Sequence, residues 1–107
     1  MTDHGLSVSQ LEIIKKILSP YSKEIDFVAL FGSRATGNYK TNSDIDLVIY
    51  GLIDEKTIDR IYTSFKNSML SLRVDVQAYE LIEYLPLRNH IDQNMVSLFD
   101  YTSLKSI

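Results

Sequence analysis

Three aspartates stand in segments that otherwise look like the interiors of strands. Asp44 and Asp46 flank an isoleucine at the start of DIDLVIY, and Asp75 lies between two valines in RVDVQA. Alternate side chains of a strand share a face, so Asp44 and Asp46 point the same way, about 6.6 Å apart along the chain. If the valines are buried, Asp75 takes that face too, on a strand about 4.8 Å away. The spacing predicts a cluster of three carboxylates.

Carboxylates so close together raise one another's pKa or require a cation. Magnesium prefers oxygen ligands and keeps several waters that phosphate oxygens can replace. We therefore expect Asp44, Asp46 and Asp75 to be metal ligands beside a phosphate-bearing substrate. Asp75 is also the candidate proton acceptor in catalysis.

The dipeptide Gly32-Ser33 follows an apolar run, DFVALF, and opens a turn toward Gly37. Glycine allows close approach of the backbone to a ligand, and Ser33 offers a hydroxyl and an N–H where a helical turn would begin. This pattern predicts a phosphate-binding turn. Arg34 and Arg73 are secondary candidates for neutralising phosphate charge.

The elements that would position these residues follow from periodicity. Ser9 and Glu12 match a capping box before a first helix, Asp54 can cap a helix with an apolar face running from Ile58 to Met69, and a weaker helix over 81–93 is interrupted at Pro86. Strands are predicted over 26–31, 44–50, 73–78 and 95–99. This order predicts an α/β (α+β) fold, a small mixed β-sheet with helices on one face.

Composition limits the classes of function. The 107 residues, 45% hydrophobic and 23% charged, predict one globular domain over 1–107. There is no cysteine, which excludes thiolate chemistry and fits a cytoplasmic location. A net charge of −3 without basic blocks argues against duplex DNA as a partner, and no apolar run approaches the roughly 20 residues that span a bilayer.

The strings FGSRATG and SDIDLVIY, followed by the strand aspartate Asp75, resemble the nucleotidyltransferase superfamily that includes DNA polymerase β. The resemblance is greater to the minimal nucleotidyltransferase (MNT) subfamily of small prokaryotic proteins, and it extends from about Phe27 to Phe99. It implies the nucleotidyltransferase fold, similar to the palm of polymerase β.

The same resemblance implies the chemistry. Asp44, Asp46 and Asp75 would hold two magnesium ions, Gly32 and Ser33 would contact the triphosphate, and a nucleoside monophosphate, with ATP as donor, would be transferred with loss of pyrophosphate. Members often pair with a helical protein, either a HEPN-type ribonuclease toxin or a substrate-binding subunit. In some pairs the MNT protein is the antitoxin and adenylylates a tyrosine of the toxin, so a hetero-oligomer is expected.

Simpler interpretations exist for each residue alone. Asp44 could belong to an Asx turn, and Gly32-Ser33 could be a plain turn with a helix cap. Arg34 could form a surface ion pair, and Arg73 could only neutralise a carboxylate. An Asx turn does not explain Asp46 and Asp75 on adjacent apolar strands.

Two other functions compete with adenylylation of a partner protein. The chain could be a non-catalytic antitoxin or scaffold that masks its partner by contact. It could also be a catalytic subunit that acts on a small molecule held by a separate substrate-binding chain. Since 107 residues leave no room for an acceptor lobe, each of these expectations includes a second polypeptide.

Overall fold

The structure is a computed structural model that describes residues 4–100 and residue 104. The predicted domain spans 1–107, so its residues 1–3, 101–103 and 105–107 lie outside the described part. The described chain forms four α-helices and four strands. The helices are α1 (Val8–Leu18), α2 (Ser33–Thr36), α3 (Glu55–Lys66) and α4 (Leu85–Asn94), and the strands are β1 (Ile25–Phe31), β2 (Ile45–Gly51), β3 (Val74–Ala78) and β4 (Val96–Asp100).

The strands form one mixed sheet in the order β3-β2-β1-β4. β1 pairs antiparallel with β2 and with β4, whereas β2 and β3 run parallel. The predicted mixed sheet and the α/β class are confirmed. This parallel pair positions the predicted aspartates, because it brings the amino-terminal ends of β2 and β3 side by side at one end of the strands.

Helices cover both faces of this sheet. On one face, α1 and α3 pack on alternate strand residues such as Val28, Leu30 and Leu47. On the other face, Ile91 of α4 packs with Ala29, Phe31 and Val48. The expectation that all helices share one face is therefore wrong for α4, because the opposite face of β1 and β2 is apolar as well and must be buried.

Two helix starts differ from the predicted ones. The capping box of α1 is formed by Ser7 and Gln10, each side chain bonding the other's backbone N–H, and not by Ser9 and Glu12. Pro86 lies in the first turn of α4, where its missing N–H costs nothing, so it begins this helix instead of interrupting it.

The helix α3 begins as predicted, with Asp54 accepting from the N–H of Thr57 at 2.8 Å. Its buried face contains Ile61 and Phe65. Met69 lies beyond the end of the helix and is 93% exposed, so the predicted apolar face is shorter than its spacing suggested. No described helix has the length and apolarity needed to cross a membrane.

Candidate nucleotide and metal site

Asp46 and Asp75 are direct neighbours across the parallel pair β2 and β3. Ile45 and Leu47 on β2, and Val74 and Val76 on β3, are buried on the α1 and α3 side of the sheet. Because strand side chains alternate, both aspartates project from the other face. The alternation of RVDVQA had predicted this placement, and the register confirms it.

Asp44 lies one residue before β2 and is exposed, so it flanks the pair Asp46 and Asp75 at the amino-terminal end of the strand. Ile45 fixes its position, since the N–H of Ile45 donates to the carbonyl of Arg73 at 2.9 Å. That bond joins the start of β2 to the residue before β3. The three aspartates are therefore held at one end of one sheet face.

Asp46 is the electrostatic centre of the site. Its side chain is half-buried, and its pKa is raised first by that burial and then by the charges of Asp75 and Asp44. The guanidinium of Arg73 acts in the opposite direction and lowers the pKa of Asp46. A charged Asp46 is thus costly to the free protein, and a bound cation would relieve that cost.

The three aspartates are chemically suited to magnesium, but they do not form a complete metal site in this structure. Carboxylate oxygens are ligands that hard divalent cations prefer. Within residues 4–100 and 104, however, no three acidic, histidine or cysteine side chains lie close enough together to hold one ion in common. Asp46 and Asp75 therefore fit a cation site as a neighbouring pair, and Asp44 would have to approach them for the full set to form.

Gly32 follows the end of β1 and lies against the side chain of Asp46. Its φ of 72° lies in the left-handed region, which a side chain rarely adopts. A Cβ placed there would collide with Oδ2 of Asp46. The absence of a side chain at position 32 thus keeps the space beside the Asp46 carboxylate open.

Ser33 begins the short helix α2 immediately after this glycine. Its carbonyl accepts from the N–H of Asn38 at 3.0 Å, which folds the turn back on itself. Its hydroxyl has no hydrogen-bond partner among the described residues. Ser33 is therefore a free donor next to Asp46, where the sequence predicted a phosphate contact.

Arg34 has a different position from the one expected of it. The side chain is only 1% exposed, and its guanidinium donates to main-chain carbonyls: Nη1 to His4 at 2.9 Å, and Nη2 to Ser43 at 3.0 Å and to Thr41 at 3.3 Å. Nε also donates to the Ser43 carbonyl, at 3.3 Å. Because all three nitrogens are used, this arrangement does not support Arg34 as a phosphate contact or as a surface ion pair. Instead, Arg34 stabilises the loop before β2, which contains Asp44, by donating to the carbonyls of Thr41 and Ser43.

Neither the burial of Arg34 nor its partners could be found from sequence. A buried guanidinium needs several acceptors, and these carbonyls come from two loops that are distant along the chain. Arg73, by contrast, is exposed, and its positive charge acts on the carboxylate of Asp46.

The other end of the same face is closed by the chain itself. Tyr50 is stacked between Phe27, with ring centroids 4.1 Å apart, and Tyr79, at 4.6 Å. Val48 is fully buried in the cluster that contains Ile91 of α4. Val48 and Tyr50 are therefore packed against other residues of the same chain.

Comparison with protein-family models matches residues 12–103 to the polymerase beta nucleotidyltransferase model, which is most of the chain. The chain belongs to this nucleotidyltransferase family. A search of curated protein sequences finds no significant match. The residues matched include the whole sheet and all three aspartates.

Solved structures show the same fold. A toxin–antitoxin crystal structure with AMP-PNP superposes with a TM-score of 0.68 at 20% identity, covering 90% of this chain and 81% of that one. A mutant of the toxin–antitoxin MntA-HpeT gives 0.66 at 17% identity, covering 90% and 80%. A candidate nucleotidyltransferase from Sulfolobus solfataricus gives 0.52 at 21% identity, covering 87% and 82%. The nucleotidyltransferase fold predicted from the motifs is confirmed.

Proposed function

We propose that this chain transfers AMP from ATP to a tyrosine hydroxyl of a partner protein in a magnesium-dependent reaction. The observation that carries the proposal is the neighbouring pair Asp46 and Asp75 beside the open turn at Gly32 and Ser33. Membership of the nucleotidyltransferase family supports the reaction class. The similar structure with AMP-PNP supports an adenine nucleotide as donor.

Each residue then has a definite task. Asp44, Asp46 and Asp75 would hold two magnesium ions, which activate the attacking hydroxyl and stabilise the leaving pyrophosphate. Gly32 leaves room for the triphosphate next to Asp46, and the free hydroxyl of Ser33 donates to a phosphate oxygen.

The transfer balances without any further reactant. The acceptor oxygen forms a bond to the α-phosphorus, and the bond from that phosphorus to the oxygen between the α and β phosphates breaks. Pyrophosphate leaves with the bonding electrons, and the hydroxyl proton passes to the carboxylate of Asp75. Arg73, beside Asp46, lies where it can offset charge on the phosphates.

A partner protein is proposed as the acceptor because similar structures are toxin–antitoxin complexes. In the described residues, α4 covers only the apolar end of the carboxylate face, and no second layer lies over Asp44 and Asp46. We therefore propose that the chain is the cytoplasmic antitoxin of a hetero-oligomer whose helical partner, a HEPN-type toxin or a substrate-binding subunit, presents the acceptor.

The test is a transfer assay with ATP labelled at the α-phosphate, magnesium, the chain and the protein encoded beside it. We expect label to become covalent on the partner, and to be lost when a tyrosine of the partner is changed to phenylalanine. Asp59→Asn, an exposed aspartate on α3, is the matched control for Asp46→Asn. Label that stays on ATP with wild-type chain and partner would overturn the transferase proposal.

One observation favours a second function. The three carboxylates do not form a closed metal-binding group within the part of the chain described. A non-catalytic antitoxin that masks its partner by contact would need no such group. Measuring the activity of the partner protein separates the two functions. A non-catalytic antitoxin would inhibit its partner without ATP, and its Asp46→Asn variant would inhibit equally well.

A further inference from the structure

A cavity of about 290 Å³ lies at the edge of the sheet, beside the site but outside it. It is an open depression between the end of α3, the loop that follows α3 and the start of β3. Its lining consists of Tyr62, Phe65, Lys66, Leu70, Ser71, Leu72, Arg73 and Val74. None of these residues except Arg73 has a role in the proposed transfer.

The floor of the cavity is apolar and its rim is basic. Phe65 and Val74 are buried, whereas Lys66 and Arg73 are exposed. Among residues 4–100 and 104, no ion pair is formed by Lys66. In a chain of net charge −3, this is a local positive surface around an apolar depression.

The same region exposes large apolar side chains that the chain does not bury. Met69, in the loop beside the cavity, is 93% exposed, and Tyr62 is 40% exposed. Exposed apolar residues next to a concave, charged rim are typical of surfaces that contact other proteins.

The cavity is also close to the carboxylates. Arg73 lines it, and the carbonyl of Arg73 accepts from the N–H of Ile45, the residue after Asp44. Arg73 and Asp75 lie two residues apart, which is about 6.6 Å along a strand. The cavity lies on the α3 side of the sheet and Asp75 projects from the other side, but β3 is an edge strand, so a partner seated in the cavity can extend past this edge to the carboxylates.

We propose that this cavity binds an apolar or aromatic side chain of the partner protein that is flanked by acidic residues, and so docks the partner along the β3 edge of the sheet. The inference rests on the proposed function, since it names the surface that receives the acceptor protein. The occupant is acidic because Lys66 and Arg73 border this cavity, and their like charges would repel a basic partner.

The first experiment measures binding of the protein encoded beside the chain by calorimetry. Lys66→Glu reverses the rim charge, and Ser71→Trp fills the cavity from an exposed position. We expect each to weaken binding about tenfold or more, whereas Lys56→Glu, at the other end of α3, leaves it unchanged. Nucleotide affinity of each chain alone should match wild type, which shows that the variants fold.

The second experiment uses the absence of cysteine from the sequence. Ser71→Cys carries the chain's sole thiol, to which a photo-activated cross-linker is attached before the partner is added. Mass spectrometry should find the cross-link on a partner peptide that contains Asp or Glu beside an apolar residue. Ser9→Cys, exposed on α1, is the control and should give no such product. A cross-linked peptide rich in Lys or Arg would overturn the proposal.

The outcomes also separate this inference from the proposed function. If wild type labels its partner and both Lys66→Glu and Ser71→Trp bind as tightly as wild type, the docking cavity is wrong and the transferase stands. If both variants weaken the complex but no label is transferred by wild type, docking stands and the transferase is wrong. If wild type does not bind the partner, both are overturned.

Discussion

Asp46 and Tyr50 lie on the same strand and the same face, four residues apart, in opposite surroundings. Asp46 is half-buried beside two other carboxylates, with open space at Gly32. Tyr50 is stacked between two aromatic rings at the end that α4 covers. One sheet face therefore has a closed apolar end and an open acidic end.

The difference shows how a small domain can hold a charged site without losing its core. Apolar side chains at the α4 end are stabilised by removal from water. Carboxylates at the other end gain nothing from such burial, because burial disfavours their charged form. The α4 end of this face therefore stabilises the fold, and the aspartate end is left for catalysis. Variants at the two ends should accordingly affect different properties.

The largest effect is expected from Asp46→Asn. If Asp46 holds a catalytic cation, transfer should fall by about 10²- to 10³-fold or more. Burial first, and then repulsion by Asp75 and Asp44, raise the pKa of Asp46; the variant removes this unfavourable charge, so the melting temperature without metal should hold or rise. Calorimetry and the transfer assay measure the two effects, with Asp59→Asn as control. A variant that melts well below wild type would show that the acidic end also stabilises the fold.

The opposite result is expected from Ile91→Ala in α4. Ile91 is fully buried against the sheet, so its truncation should lower the free energy of unfolding by about 2–5 kcal/mol. Asn89→Ala, an exposed change on the same helix, should have little effect. Urea unfolding gives the stability, and nucleotide affinity is measured where the variant is still folded. Lost affinity in the folded variant would mean that the two ends are coupled.

The acidic end was more predictable from sequence than the α4 end. Alternation places Asp46 and Asp75 each on the face opposite to its apolar strand neighbours, and the register of β2 and β3 confirms that both aspartates share one face. The start of α3 at Asp54 was equally predictable, because a helix N-cap depends only on residues three positions apart in the sequence.

The predictions that failed concern features that depend on contacts between distant segments of the chain. Pro86 is compatible with a helix start or a helix break, and packing of α4 on the sheet decides between them. Burial of Arg34 depends on carbonyls of His4 and Ser43 that only the folded chain brings together. Met69 has the spacing of the α3 face, but the helix ends before it at Lys66.

A third prediction concerns Ser33, at the open end. Ser33→Ala removes a hydroxyl that has no partner within the described chain, so stability should not change. Loss of one hydrogen bond to a charged phosphate would weaken binding of ATP with magnesium by about 1.5–3 kcal/mol, or about ten- to a hundredfold. Calorimetric titration measures this, with Ser9→Ala as control. Unchanged affinity would remove Ser33 from the site.

Gly32 and Gly37 form a matched pair for the fourth prediction. Both have positive φ, 72° and 87°, so Gly→Ala at either should cost about 1–3 kcal/mol of backbone strain. Only at Gly32 would the new Cβ collide with the Asp46 carboxylate, because nothing lies within 4 Å at Gly37. Gly32→Ala should therefore also reduce transfer, whereas Gly37→Ala should alter stability alone. Equal activity of the two folded variants would show that the space beside Asp46 is not used.

The smallest effect should appear at the closed end, at high pH. Burial first, and then the nearby Tyr79 and Asp92, raise the pKa of Tyr50 from 10.0 to about 12, against the opposing charge of Arg88. Between these values the unfolded chain releases the Tyr50 proton before the folded protein does, so this group's contribution is fully present below pH 10 and is lost as the pH rises toward about 12. Tyr50→Phe keeps the ring and removes the titrating hydroxyl, so its unfolding free energy should fall less steeply over that window than that of wild type. Tyr84→Phe, exposed before α4, should follow wild type. Urea unfolding at stepped pH values makes the comparison, and identical slopes for Tyr50→Phe and wild type would show that α4 does not shield this end from water.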